Sequence, residues 1–172
     1  MSNDANKKLS LFILDIDRTI AESKYVGTLE SNDDWDKAYQ MCVPMHPQIE
    51  LAKEIAKTAN DFVILTGRRE NAYWITSPWL KSTGLSGYEL RMRKEYENNL
   101  PAAEYKKYCF MHYAFDYLLN NHTVIVFDDD YTFTESIRSL RNVIIIDPAD
   151  ISVGRAEWLQ IQSDAVTLGK VE

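Results

Sequence analysis

Asp15 and Asp17 stand two residues apart at the end of the apolar run Leu11-Phe12-Ile13-Leu14. The run has the length and Ile/Leu/Phe content of a strand buried on both faces. A strand ending there lets the chain turn, so that both carboxylates enter the crevice beyond the carboxyl ends of a parallel sheet. Ligands of open α/β sheets bind in that crevice. Two carboxylates so close repel one another, and an apolar strand end makes their charge costlier. A divalent cation, or a proton on one of them, relieves the repulsion. The plain alternative is a solvated acidic turn.

Three more groups weigh against that alternative. Thr66-Gly67-Arg68 follows a second apolar run, Phe62-Val63-Ile64-Leu65. A hydroxyl and backbone N–H groups at a helix start suit a phosphate, and Arg68 adds a fork of donors. A lysine, Lys106 or Lys107, opens a helical stretch over 103–119. Asp128-Asp129-Asp130 closes a further apolar run, Thr123 to Phe127. A Thr-Gly-Arg turn alone is common, and a helical lysine is usually solvated. In this order, at successive strand ends, they point to one crevice built for a phosphate and a cation.

The elements that position these groups follow from periodicity. Four apolar runs, 11–14, 62–65, 123–127 and 143–146, and the alternating stretch 88–93 read as strands. Between them, Ile49, Ala52, Ile55, Ala56 and Ala59 recur at helical spacing over 47–60. A helix is expected from Glu70, restarted at Ser77-Pro78 by a serine cap and a first-turn proline, and ended by Gly84. In the helix over 103–119, Tyr108, Met111, Phe115 and Leu118 form the stripe expected to face the core, and Phe133, Ile137 and Leu140 mark another helix. Residues 21–45 read as polar and irregular around Trp35, and the tail from Ile151 as weakly amphipathic around Trp158 and Ile161. Strands alternating with helices predict right-handed crossovers, hence a doubly wound α/β/α sandwich on a parallel sheet of about five strands. The organisation expected is a flexible N-terminus over 1–8, one domain over 9–150, and a tail over 151–172 packed on it. Residues 21–46 and 84–101 are too short for a large cap, so the crevice should stay open.

Composition narrows the function classes. A chain of 172 residues is about one domain long, with a formal net charge of −7. That charge argues against a broad non-specific nucleic-acid surface, though not against a local patch such as Arg91, Arg93 and Lys94. Cys42 and Cys109 lack metal or redox spacing and read as reduced thiols of a cytoplasmic protein. His46, His112 and His122 show no ligand spacing. No secretory signal, membrane span or protein partner is expected. No Gly-x-x-x-x-Gly-Lys loop occurs, so no P-loop kinase half is expected in this chain.

Asp15-x-Asp17-x-Thr19 after a buried strand resembles the first motif of the haloacid-dehalogenase-type phosphotransferases, with Arg18 where glycine is usual. The order Asp15/Asp17, Thr66, lysine, Asp128/Asp129 resembles the four motifs of that superfamily over residues 9–148. Thr66-Gly67-Arg68, Thr76, Trp79-Leu80, Met92-Arg93 and Lys106 are similar to the phosphatase domain of bacteriophage-type polynucleotide kinase/3′-phosphatases. The apolar pair Cys109-Phe110 favours Lys106 over Lys107 in that alignment. Residues 97–102 lack the Asp and Arg that this branch tends to carry before the lysine.

The resemblance implies a Mg²⁺-dependent phosphatase. Asp15 would be the nucleophile and Asp17 the general acid and base. Thr66, Gly67, Arg68, Lys106 and Arg93 would hold phosphate oxygens. Asp15, Asp17 (through its backbone carbonyl), Asp128 and Asp129 would hold the metal. An open crevice suits a phosphate at the end of a bulky molecule, such as a nucleic-acid 3′ end or a nucleotide. Two other readings stay open: a small-molecule nucleotidase with the same chemistry, and a non-catalytic phospho-receiver or binding module.

Overall fold

The computed structural model describes residues 9–168, and of residues 157 and 161–168 the backbone only. The flexible N-terminus expected over 1–8 therefore lies outside the described residues, as do residues 169–172 and the side chain of Ile161. In chain order, β1 (Ser10–Leu14) leads into an insert of β2 (Ala21–Ser23), α1 (Asn32–Gln40) and β3 (Cys42–Pro44). Then come α2 (His46–Ala56), β4 (Asp61–Arg69), α3 (Tyr73–Thr83), β5 (Glu89–Arg93) and α4 (Ala102–Leu119). The chain closes with β6 (Thr123–Phe127), α5 (Tyr131–Ile137), β7 (Val143–Ile146) and α6 (Ile151–Leu168).

Five strands form one parallel sheet in the order β5-β4-β1-β6-β7, with β1 at its centre. Side chains alternate across it, because successive Cβ atoms of a strand point to opposite faces. Phe12 and Leu14 of β1, Ile64 of β4 and Phe127 of β6 pack on one face with Ile49, Ala52 and Ile55 of α2 and Trp158 of α6. Leu11, Ile13, Val63, Leu65, Val124 and Val126 face the other way, onto Tyr105, Cys109, Phe110 and Ala114 of α4 and Phe133 and Ile137 of α5. Residues buried on this scale contribute about 1.5–3 kcal/mol each. Truncating fully buried Phe127 to alanine should cost about 3–5 kcal/mol.

Several expectations differ from what is observed. The α4 stripe is out of phase: Tyr105, Cys109, Phe110 and Ala114 turn inward, while Tyr108, Met111 and Phe115 are exposed and Leu118 is half-buried. This helix is aromatic or aliphatic on most sides, so two stripes of equal period exist and the sequence does not choose between them. Pro78 does not restart α3 but lies inside it. The missing N–H leaves only the carbonyl of exposed Trp74 to solvent, which makes the break tolerable. Gly84, at φ 78°, ends α3 in the left-handed conformation that glycine adopts at little cost.

The stretch 21–45 is ordered. Ser31 and Asp34 form a reciprocal capping box that starts α1. Its Tyr39, with half-buried Trp35, packs on Ala72, Ile75 and Met92. This insert is small, and no large cap covers the sheet ends. At the other end, α6 lies against β7 and α2: a Cβ on Gly154 would meet Ile146 at 2.4 Å, and Arg155 pairs with Glu54 at 2.7 Å. Among the described residues no helix is long and apolar enough to cross a membrane.

Candidate active site

Asp15 is the first residue past β1, and its N–H donates to the Phe127 carbonyl (2.9 Å), so the ladder to β6 extends under it. The side chain is 3% exposed. Lys106, from the first turns of α4, reaches it: Nζ lies 3.3 Å from Asp15 Oδ1 and 2.8 Å from Asp128 Oδ1. Lys107 points to solvent, so the crevice lysine is Lys106. Thr19 ties the two strand ends together. Its hydroxyl donates to Asp15 Oδ2 (3.2 Å) or Asp129 Oδ1 (3.4 Å) and accepts the Asp129 N–H (3.1 Å). Asp130 is occupied otherwise, capping α5 through the Phe133 N–H.

Charge in this cluster is not balanced. Asp15, Asp128 and Asp129 can place one carboxylate oxygen each within 4.8 Å of the others. Burial pushes the Asp15 carboxyl well above the usual range; Lys106 opposes this, and Asp128, Asp17 and Asp129 add to it. Asp128 is also raised by burial against the pull of Lys106, and Asp129 by burial against that of Arg18. Burial alone would lower Lys106, but Asp15 and Asp128 outweigh it and hold its proton. Lys106 and the largely exposed Arg18 guanidinium on Asp129 are two cations for three carboxylates, which leaves negative charge in the site. Three hard oxygen donors in reach of one another fit a divalent cation such as Mg²⁺.

The Asp17 side chain is outside that cluster. Arg68 holds it in a fork, with Nη2 at 2.7 Å and Nε at 3.0 Å from its oxygens. The sequence reading aims Arg68 at phosphate oxygens; here its donors go to Asp17, to Thr76 Oγ1 (3.3 Å) and to Cys42 Sγ (3.3 Å). It is fully buried, with Tyr39 of the insert stacked 4.4 Å from the guanidinium carbon. Asp17 raises its proton affinity against the effect of burial. Tyr39 and Cys42 were invisible as site residues in the sequence; only the capping box of α1 signals that the insert is built. Thr66 is fully buried and its hydroxyl accepts the Arg68 N–H (3.2 Å). Gly67 follows on the open side of β4, where a Cβ would lie 4.0 Å from Arg93 Nη2. Arg93 is half-buried over the Tyr105 ring (5.0 Å) and donates to the Leu100 carbonyl (3.3 Å). Of the residues singled out from sequence, Asp15, Lys106, Asp128 and Asp129 converge, Asp17 and Arg68 pair beside them, and Arg93 belongs to the neighbouring β4/β5 edge.

Arg18 explains its own oddity. Its φ is 60°, the left-handed region in which glycine costs least. The arginine takes that conformation and sends Nε to Asp129 Oδ2 at 2.9 Å.

Fold and site together define an α/β protein with a parallel five-stranded sheet and an acid–lysine crevice at its carboxyl edge. Two solved structures share the fold. One, the "Structure of Pnkp1/Rnl/Hen1 complex", superposes on 86% of this chain with a TM-score of 0.62 and 17% identity. The other, the "Structure of the Pnkp1/Rnl/Hen1 RNA repair complex", covers 85% with a TM-score of 0.64 and 14% identity. The matched region spans 47% and 44% of those chains, so this chain corresponds to a little under half of each. At such identity the likeness is one of fold. The sequence matches no protein-family model and no curated protein.

Proposed function

We propose that this chain is a Mg²⁺-dependent phosphomonoester hydrolase of the haloacid-dehalogenase type, acting on the 3′-phosphate of a nucleotide or polynucleotide end. The observation that carries the reading is the cluster at the centre of the sheet: buried Asp15 held 3.3 Å from Lys106, with Asp128 and Asp129 beside it. A carboxylate placed there is fixed, desolvated and aimed out of the sheet edge, as a nucleophile must be.

Asp15 attacks phosphorus in line, forming an O–P bond as the ester P–O bond breaks. Asp17 gives its proton to the leaving oxygen, then takes one from the water that cleaves the aspartyl-phosphate and frees Asp15. Both Asp17 oxygens accept N–H groups of Arg68, so the side chain turns out of this fork to make either transfer, and Arg68 serves as the positioning residue that holds it in between. Lys106, the Thr66 hydroxyl and the Gly67 N–H hold phosphoryl oxygens as charge develops on them. Asp15, Asp128 and Asp129, with the Asp17 carbonyl, would hold a Mg²⁺, which would supply positive charge against the repulsion between carboxylate and phosphate.

A nucleic-acid end is favoured as substrate because the crevice lacks a large cover, and because the fold neighbours are described as an RNA repair complex. The test is phosphate release with Mg²⁺ from p-nitrophenyl phosphate, nucleoside monophosphates and 3′-phosphorylated oligonucleotides. Turnover is expected on all three classes, highest on the oligonucleotide. No release from any of them would end the reading, and preference for free mononucleotides would make the chain a nucleotidase.

A further inference from the structure

Beside the acidic crevice, at the carboxyl ends of β4 and β5, lies a second cavity of about 430 Å³. Asn32, Arg69, Glu70, Asn71, Arg93 and Glu95 line it together with Asn98. Arg69 and Arg93 are register partners on β4 and β5, and Arg69 donates to Asn32, the first residue of α1. The insert thus makes one wall and the turn after β5 another. Gly67 follows buried Thr66, and a Cβ on it would lie 4.0 Å from Nη2 of Arg93, one of the residues that line the cavity. Neighbouring strands run about 5 Å apart, so a group bound at β4/β5 and one bound at β1 are within reach of a single nucleotide.

The chemistry of the lining separates two kinds of occupant. Two arginines are matched by two glutamates, so the cavity offers little net attraction to a phosphodiester. Its remaining groups are amides. Among the described residues, Arg93 Nε and Asn98 Oδ1 are buried without a hydrogen-bond partner, an unmet donor and an unmet acceptor. Leaving such groups unpaired costs about 1–3 kcal/mol each. A planar heterocycle with donors and acceptors on its edge suits the lining amides of Asn32, Asn71 and Asn98, and an arginine can stack on its face. Large aromatics also stand exposed close by in the chain: Trp74, three residues after Asn71, is 60% exposed, and Tyr96, next to Glu95, is 76% exposed. Exposed aromatic rings beside a polar groove are the usual platforms for the bases of a single strand.

We propose that this cavity is a base-binding subsite, taking the nucleobase of the 3′-terminal nucleotide whose phosphate enters the Asp15 crevice. The proposal rests on the phosphatase reading for the position of the phosphate, and names what the protein recognises beyond it. Base contacts there make the substrate a nucleic-acid end rather than any accessible phosphomonoester.

The test uses the inactive Asp15→Asn protein and two 5′-fluorescein RNA hexamers carrying a 3′-phosphate, one with an abasic 3′-terminal residue. By fluorescence anisotropy the abasic probe should bind ~10-fold more weakly, the scale of one lost stacking or hydrogen-bonding contact. Adding Asn71→Ala or Asn98→Ala should bring the two probes to equal affinity. In otherwise unsubstituted protein those variants should raise KM for the intact hexamer and leave p-nitrophenyl phosphate turnover unchanged. Equal affinity of the two probes before either asparagine is changed, or no binding of either, overturns the proposal even if an alanine variant fails to fold. Base-dependent binding without phosphate release by the unsubstituted protein would keep the subsite and reject the phosphatase. Turnover without base dependence would do the reverse.

Discussion

The two halves of the sheet's carboxyl edge are built on opposite principles. On the β1/β6 side, buried Asp15 and Asp128 share one lysine, and half-buried Asp129 beside them pairs with Arg18, which leaves excess negative charge. On the β4/β5 side, two arginines match two glutamates and the other lining groups are neutral amides. Stored electrostatic imbalance suits a reaction in which charge moves, because a fixed, desolvated field needs no rearrangement in the transition state. A balanced amide-rich surface suits recognition, where selectivity comes from satisfying donors and acceptors. The Asp17–Arg68 pair lies on the border, and it is assembled by the insert that also walls the recognition side.

The comparison can be broken at several strengths. The largest effect is expected at Asp15: Asp15→Asn should lower turnover of every substrate on the order of 10⁴–10⁶-fold, the scale lost with a catalytic nucleophile. Rapid mixing with p-nitrophenyl phosphate and Mg²⁺ should show no p-nitrophenolate burst, and a burst would move the nucleophile elsewhere. Chelation is the companion test of the same imbalance. EDTA should abolish phosphate release and excess Mg²⁺ should restore it, whereas undiminished activity in EDTA would mean that Lys106 alone neutralises the site.

Asp17→Asn should fail selectively. With a ribose hydroxyl as leaving group the loss should be about 10²–10⁴-fold, the value of general acid catalysis. With p-nitrophenol, which leaves without a proton, the first step should survive and phosphoenzyme should accumulate as a burst near the enzyme concentration. A burst-free, equal loss on both substrates would leave Asp17 without its assigned role.

Stability should also separate the two regions. Lys106→Met strips the one cation from Asp15 and Asp128, and breaking such a buried pair should cost about 3–5 kcal/mol in urea unfolding. Asn71→Ala, at the exposed rim of the β4/β5 cavity, should change stability by less than about 0.5 kcal/mol. Similar values would deny that the β1/β6 side carries the costlier buried charge. A small effect is also expected at Arg18→Gly. Relief of left-handed strain, about 1–2 kcal/mol, is offset by the greater freedom of unfolded glycine and by loss of a largely exposed ion pair to Asp129. The midpoint of denaturation should move by less than ~1 kcal/mol equivalent, and a loss beyond about 2 kcal/mol would mean that Arg18 anchors the crevice.

What the sequence determined was everything carried by local runs. Short segments, four of them apolar and one (88–93) alternating, marked all the strands of the central sheet. Acids placed directly after two of those strands had to meet, because a parallel sheet brings the carboxyl ends of its strands to one edge. Tertiary structure decided whatever depends on direction or on distant pairing. The inward face of α4 was undetermined because its apolar residues surround the helix, and only the sheet beneath selected Tyr105, Phe110 and Ala114. Arg68 follows a phosphate-binding pattern locally, yet its guanidinium is claimed by Asp17, 51 residues earlier, and by Cys42 of the insert. The β4/β5 cavity has no motif at all. Its walls come from α1, β4, β5 and the turn after β5, and only folding sets their amides and arginines around one space.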